Sequence, residues 1–107
     1  MNYEQMSDFE INKAVAVALG HKYIGMGSID DADGVYHAVE MNGWRTSLRD
    51  YCNRPFDAWP IIMENKIGIK WVNGSCTASS VLRGYHESTS DSPLRAAMIV
   101  FLMMNYK

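Results

Sequence analysis

Apolar residues near the start of the chain recur at the three- and four-residue spacing of a helix face. The members of this stripe are Ile11, Ala14, Val15, Ala18 and Leu19. Ser7 and Glu10 precede it in the arrangement of a capping box, in which each side chain bonds the other residue's backbone N–H. The pattern predicts a first helix over residues 8–19, ended by Gly20.

Two Asn-Gly pairs, at residues 42–43 and 73–74, each separate two apolar runs. Both residue types tolerate the positive φ angles of a type I′ turn, so this dipeptide is a strong hairpin signal. The predicted strands span residues 35–41 and 44–48 in the first hairpin, and 67–72 and 76–83 in the second. A helix over 35–41 is the main alternative for the first of these segments.

Two further helices are predicted from the residues at their starts. Asp57 is expected to cap a short helix over 58–65, with Pro60 in its first turn, where the missing N–H costs nothing. The pair Ser92-Pro93 is a cap followed by a proline at the first helical position, which predicts a last helix over 94–106. This last helix is apolar on almost every face, so we expect it to be the most buried.

The remaining stretches, 21–34 and 84–91, are rich in turn-forming or polar residues and are predicted to contain loops. The element order is then α-ββ-α-ββ-α within one domain that covers residues 1–107. An isolated hairpin is marginal in water and needs a covering layer. We therefore predict an α+β fold, in which an antiparallel sheet from two β-hairpins packs with three helices.

Composition narrows the class of protein further. The chain has 48% hydrophobic and 21% charged residues, which is typical of a globular domain rather than a disordered one. Its net charge is -2 and it has no basic run, which argues against a nucleic-acid partner, although a basic face assembled in three dimensions stays open. The longest apolar run, residues 96–104, is far shorter than the roughly 20 residues of a membrane span.

The two cysteines, Cys52 and Cys76, do not form a disulfide framework. The first eight residues are polar and lack the basic and apolar regions of a signal peptide. The expected compartment is therefore a reducing cytoplasm, in which both thiols stay free.

One stretch approaches a calcium-binding loop of the EF-hand type. Asp31, Asp33, Gly34 and Glu40 fit its third, fifth, sixth and twelfth positions. The first position is Ile29, which has no side-chain ligand atom. An acidic, solvated loop is the favoured interpretation.

Other chemical motifs are missing from the sequence. A zinc tetrad would need close pairs of ligands, and none occurs among Cys52, Cys76, His21, His37 and His86. There is no phosphate-binding loop, dinucleotide fingerprint or nucleophile elbow. We predict that the protein is not an enzyme and has no catalytic residues, cofactor or metal. A Cys–His or Ser–His pair brought together only in space stays open.

Trp59 and Arg95 have two interpretations each. Trp59 either fills the edge of the core, which is favoured, or presents a contact residue, since tryptophan is common among interface hot spots. Arg95 is in the first turn of the last helix, where a cation opposes the helix dipole. It is expected to reach a carboxylate, with Asp50 and Asp57 as candidates; a solvated arginine is the alternative.

Three stretches resemble the NinX-like proteins of lambdoid and other enteric phages, and residues 26–49 carry no match. The stretches are residues 7–12 (SDFEIN), 50–65 (DYCNRP, DAWPII and EN) and 92–104 (SPLRAAMIVFLMM). The resemblance implies a small phage accessory protein in the host bacterial cytoplasm. Similar phage proteins are α-β-α sandwiches, which agrees with the predicted element order. The family has no established activity, so it implies no catalytic residues.

The favoured function is a non-enzymatic phage accessory protein that binds a host or phage protein. It rests on the resemblance, the missing catalytic motifs and the twelve aromatic residues. The alternatives are a nucleic-acid-associated factor in phage recombination or replication, and a small hydrolase or nuclease with a spatially assembled site. A symmetric homodimer that shares the last helix is a further hypothesis. The candidate interaction residues are Asp50, Tyr51, Asn53, Trp59 and Arg95.

Three structural features would separate these functions. A contiguous exposed aromatic patch would favour protein binding. A basic face built from Arg45, Arg49, Arg54 and Lys70 would favour nucleic-acid binding. A cleft that joins a histidine to Cys52 or to paired carboxylates would favour a hydrolase or nuclease.

Overall fold

A computed structural model describes residues 2–28 and 35–105. After a 3₁₀ turn at Tyr3–Gln5, the helices are α1 (Asp8–Ala18), α2 (Pro55–Glu64) and α3 (Pro93–Asn105). The strands are β1 (Lys22–Ser28), β2 (Val35–Met41), β3 (Trp44–Ser47), β4 (Gly68–Val72), β5 (Ser75–Ser80) and β6 (His86–Ser90). None of the described helices is long and apolar enough to cross a membrane.

Helix α1 forms where the sequence predicts it. The Ser7 hydroxyl accepts from the Glu10 N–H at 3.1 Å, and the Glu10 carboxylate accepts from the Ser7 N–H at 3.2 Å, which completes the capping box. Gly20, with φ of +90°, follows the end of the helix. The helix buries Ile11 and Val15 completely, so the apolar stripe of the sequence faces the core.

The α+β fold class is confirmed, with two sheets in the place of one. Both predicted hairpins are present, and Asn42 and Asn73 have φ angles of 52° and 50°, as type I′ turns require. The first hairpin lies in a sheet of order β1-β2-β3 and the second in a sheet of order β4-β5-β6. All pairs of neighbouring strands are antiparallel.

Each sheet has one strand in a stretch for which no strand was predicted. The loop predicted over 84–91 is wrong, because β6 lies there, and β1 occupies part of the stretch 21–34 that was predicted to contain a loop. In β1 the register with β2 shifts between Tyr23 and Gly25, which breaks the two-residue alternation that marks a strand. Strand β6 has no large apolar residue, and its buried position is a serine, Ser88. Neither strand therefore shows the alternation of apolar and polar residues that sequence analysis can detect.

Helix α2 begins earlier than predicted. Pro55 occupies its first turn, since the proline ring presets φ and an N–H is not needed there. Arg54 is the N-cap residue and makes no side-chain cap bond, so the predicted cap at Asp57 is wrong. Pro60 consequently lies inside the helix rather than in its first turn.

Helix α3 lies at the centre of the core. One side packs on the second sheet, and α1 and α2 also pack against it. Ile99 and Leu102 are completely or almost completely buried. The prediction that this is the most buried helix is therefore confirmed. Because the chain itself covers α3, the helix offers no large apolar face for the homodimer hypothesis, which loses the observation on which it was based.

Candidate functional site

The three stretches that carry the family resemblance meet at the N-terminal ends of α1 and α3. The meeting point is a group of hydrogen-bonded side chains that we call the polar cluster: Asp8, Asn12, Asp50, Asn53 and Arg95. Two members come from α1, two from the turn before α2 and one from the first turn of α3. Folding thus brings together residues that are up to 87 positions apart.

Asn12 is the buried centre of the polar cluster. Its side-chain N–H donates to the Asp50 carboxylate at 3.0 Å, and its side-chain oxygen accepts from the Cys52 backbone N–H at 3.1 Å. Both ends of the amide are therefore used, as a buried polar side chain requires. Asn12 fastens the turn before α2 to the side of α1.

Asp8 receives hydrogen bonds from two other parts of the chain. The Asn53 amide donates to Asp8 at 3.1 Å and also to Asp50 at 3.1 Å. The Arg95 guanidinium donates to Asp8 at 2.6 Å and to the backbone carbonyls of Glu4 and Met6. Asp8 is in the first turn of α1, where a carboxylate also interacts favourably with the helix dipole.

The predicted partners of Arg95 were therefore wrong, although the expectation that it reaches a carboxylate was right. Asp50 bonds the two asparagine side chains instead. Asp57 bonds Arg49 at 3.3 Å and lies 3.9 Å from Arg54. The first turn of α3 packs beside the N-terminal segment, so the carboxylate within its reach belongs to α1.

Protonation of Cys52, beside the polar cluster, disfavours this residue as a nucleophile. The hydrogen bond from Asn53, together with Arg95, holds the pKa of Asp8 below its ordinary value, against the opposing effect of burial. Burial, with smaller contributions that include the charge of Asp8, raises the pKa of Cys52 to about 12. Cys52 is thus a protonated thiol at neutral pH, and the thiolate is the form that acts as a nucleophile. Tyr51 is also buried, and burial raises the pKa of its phenol.

A cleft of about 380 Å³ opens beside the polar cluster. Its lining includes His37 together with Asp8, Asp50 and Asn53. The His37 ring lies 4.1 Å from the ring of Phe9, measured between centroids, and its Nδ1 is 2.9 Å from a tyrosine hydroxyl. The lining of this cleft includes a histidine and two carboxylates, which are the groups that the hydrolase alternative requires in one cleft.

Two groups of possible metal ligands were considered in the sequence and disfavoured. In the part of the chain that the structure describes, no three histidine, cysteine or carboxylate side chains are placed to hold a metal ion. The calcium-loop residues Asp31, Asp33 and Gly34 lie outside the described residues. Glu40 is in β2, as the cross-strand partner of Arg45.

A second candidate region is the solvent-facing side of α2. Trp59 is 56% exposed there, so the prediction that it fills the core is wrong. It shares this side with three other apolar residues at helical spacing, and we call the four residues the α2 outer face: Phe56, Trp59, Pro60 and Met63. Their exposure follows from the register of the helix, because Ala58, Ile61 and Ile62 face the core.

Sequence analysis did not single out Phe56 and Met63. Phe56 is 88% exposed and Met63 is 55% exposed. The signal that could have found them is a second apolar stripe at positions 56, 59, 60 and 63, on the side opposite to the stripe at 58, 61 and 62. Placing the helix start at Asp57 concealed this pattern, since it left Phe56 outside the helix.

The α2 outer face continues into a groove of about 310 Å³. Phe56 and Pro60 form part of its lining, together with Leu19 after α1 and Met41 at the end of β2. Charged residues also line the groove: Arg49, Asp57 and Glu64. Phe56 and Pro60 of the α2 outer face thus adjoin Leu19 and Met41 on a surface that also has charged groups. Together with the exposed Trp59, this surface favours the protein-binding alternative.

Of the four residues proposed for a basic face, two share a carboxylate and the other two lie in different sheets. Arg49 and Arg54 share the carboxylate of Asp57. Arg45 is in the first sheet, opposite Glu40. Lys70 is in β4 of the second sheet.

Comparisons with known proteins identify a phage family and a related fold. A family model described as Bacteriophage P22, NinX matches residues 2–105. A solved structure of a phage protein from Bacillus cereus is similar, with a TM-score of 0.64 and 17% identity, over 92% of this chain and 87% of that chain. At this identity the likeness shows the fold alone. No curated protein matches the chain.

Proposed function

The chain belongs to the bacteriophage NinX family, and from that premise we propose that it is a non-enzymatic accessory protein that binds a host or phage protein in the bacterial cytoplasm. The observation that carries the proposal is the α2 outer face. A short helix with one apolar side in the core has a second apolar side, of phenylalanine, tryptophan and methionine, in contact with water.

The composition of the α2 outer face is that of an interface centre. Aromatic residues and methionine are enriched in protein interfaces, and tryptophan is prominent among the residues that contribute most to affinity. A helix that is apolar all round is normally buried on all sides. Arg49, Asp57 and Glu64 beside this surface supply the polar rim that surrounds such a centre.

Pro60 adds a polar feature to this apolar surface. A proline inside a helix has no N–H for the carbonyl four residues before it, which here is the carbonyl of Phe56. In the proposed complex, a donor of the partner would take the place of this missing N–H. Recognition at α2 would therefore combine apolar burial with at least one directional hydrogen bond.

The test is capture of partners from phage-infected cells with the tagged chain and two variants. The double variant Phe56→Ser/Trp59→Ser removes the centre of the α2 outer face. The control Val81→Ser removes another exposed apolar residue, which follows β5. We expect a partner that the wild type and the control retain and the double variant loses.

The captured partner is then purified and its affinity is measured by calorimetry. Loss of two such contact residues should weaken binding by about tenfold or more. Equal affinity for the wild type and the double variant would contradict the role of α2.

The second candidate function is a small hydrolase or nuclease, supported by the cleft whose lining includes His37, Asp8 and Asp50. The test is turnover of single-stranded DNA, RNA and a nitrophenyl phosphodiester, with and without magnesium or manganese. Activity that is present in the wild type and lost in His37→Gln would favour this candidate over the binding protein.

A further inference from the structure

We propose that the outer edge of β4 accepts an extended segment of a partner protein as an added antiparallel strand. The segment would have apolar residues at alternate positions and an acidic residue between them. This surface is separate from the α2 outer face, and the proposal does not depend on the role of α2.

Strand β4 is an open edge of the second sheet. It pairs with β5 on one side, and no other described strand pairs with it. All five of its residues are exposed, and the strand contains neither a proline nor an irregularity in its register with β5. Bulges, prolines and charged side chains are common ways to block an edge, and of these β4 has only the charge of Lys70.

The turn that follows β4 defines which of its backbone groups point outward. Asn73 and Gly74 have φ angles of 50° and 83°, as in a two-residue type I′ turn. Such a turn closes on a hydrogen-bonded pair, which is Val72 with Ser75. Hydrogen-bonded residues alternate along a strand, so the backbone groups of Ile69 and Trp71 point away from β5.

The side chains of these two residues make the same edge apolar. Ile69 and Trp71 are opposite Ala78 and Cys76, which are completely buried, and opposed residues share one face of a sheet. Trp71 is nevertheless 64% exposed. The apolar face of the sheet thus continues beyond the residues that the fold covers. A strand added to β4 would bury Ile69 and Trp71 against its own alternate side chains.

Lys70 decides which occupant fits the edge. It lies on the other face of the sheet, opposite Thr77, and no carboxylate of the described chain is within ion-pair distance of it. If two copies paired symmetrically through Ile69 and Trp71, the two Lys70 side chains would be directly opposite each other. Like charges in that position are destabilising, whereas an acidic residue of a partner would compensate the charge.

The test is an NMR titration of the uniformly ¹⁵N-labelled protein with two blocked synthetic peptides. One peptide has glutamate between two valines, and the matched peptide has lysine in its place. We expect the glutamate peptide to shift the amide signals of Ile69 and Trp71 and to slow their hydrogen exchange, and the lysine peptide to bind more weakly. In Lys70→Glu the order of the two peptides should reverse.

Two further variants separate edge pairing from binding elsewhere. Trp71→Pro removes an outward N–H without removing a bond to β5, so it should abolish peptide binding. Lys70→Val removes the repulsion between copies and should produce a dimer in sedimentation equilibrium, which adding Trp71→Pro should prevent. The proposal is overturned if the glutamate peptide leaves the Ile69 and Trp71 amides unchanged, or if the wild type already pairs with itself through β4.

Discussion

Helices α2 and α3 are both rich in apolar residues, yet only α3 is enclosed. The second sheet covers one side of α3, and α1 and α2 also pack on it. Helix α2 lies at the outside of this arrangement, so its face with Ile61 and Ile62 is buried and the α2 outer face is not. The comparison shows that apolar content predicts burial only for an element that has layers on both sides.

Truncation in the two helices should show the largest difference. Leu102→Ala in α3 is expected to lower the free energy of unfolding by about 2–5 kcal/mol, because it removes apolar contacts and leaves a cavity. Met63→Ala on the α2 outer face should change it by less than about 0.5 kcal/mol. Urea denaturation measures both. A similar cost for the two variants would mean that α2 is covered as α3 is.

The buried amide of the polar cluster should have the next largest effect. Asn12→Ala leaves the Cys52 N–H buried without its acceptor, which should cost about 1–3 kcal/mol. Asn53→Ala is the control, because Asn53 is exposed and water can replace its bonds to the two carboxylates. If both variants are equally stable in urea, the cluster does not fasten α1 to the turn before α2.

Substitutions at the N-caps of α2 and α3 should change stability by smaller amounts and in opposite directions. Ser92 precedes α3, and its hydroxyl accepts from the Arg95 N–H at 3.4 Å, so Ser92→Ala should cost about 1 kcal/mol. The N-cap of α2 is Arg54, which makes no such bond, so Arg54→Ser should raise stability by up to about 1 kcal/mol. Thermal and urea unfolding should show opposite signs for the two changes. The same sign for both would refute the assignment of the caps.

The smallest expected effect is the contribution of Asp8 to the pH dependence of stability in acid. The pKa of Asp8 is lower in the folded protein than its ordinary value of 3.8, because Asn53 and Arg95 stabilise the carboxylate. The resulting stabilisation is complete above the unfolded pKa and is lost as the pH falls through the folded pKa. It should amount to less than about 1 kcal/mol, since Asp8 is partly exposed. Urea midpoints between pH 2 and 6 should depend less on pH in Asp8→Asn than in the wild type, and an equal dependence in both would contradict the role of Asp8.

Elements defined by neighbouring residues were predictable from the sequence. The capping box of Ser7 and Glu10 and the two Asn-Gly turns involve residues within a few positions of one another, and the structure contains them. Strand β6 was missed because it depends on contacts with other elements rather than on a pattern among neighbouring residues. It has no apolar alternation, and it is a strand because β5 pairs with it and α3 packs against it.

The candidate sites show the same division. Asp50, Asn53 and Arg95 were named from the sequence, but their partners in α1 were not, because 38 or more positions separate Asn12 from Asp50 and Asp8 from Asn53 and Arg95. Trp59 was expected to fill the edge of the core because tryptophan buries much apolar surface. The predicted start at Asp57, two residues after the actual start at Pro55, left Phe56 outside the helix and concealed the exposed apolar side.

The sequence by itself determined the α+β class, the positions of the hairpin turns and the burial of α3, because caps, turns and apolar periodicity act over short distances along the chain. The tertiary structure alone decided that the hairpins lie in two sheets, that Arg95 meets Asp8 and that α2 keeps one apolar side in water. These features depend on which elements become neighbours. Local propensity does not specify contacts between segments that are distant in the sequence.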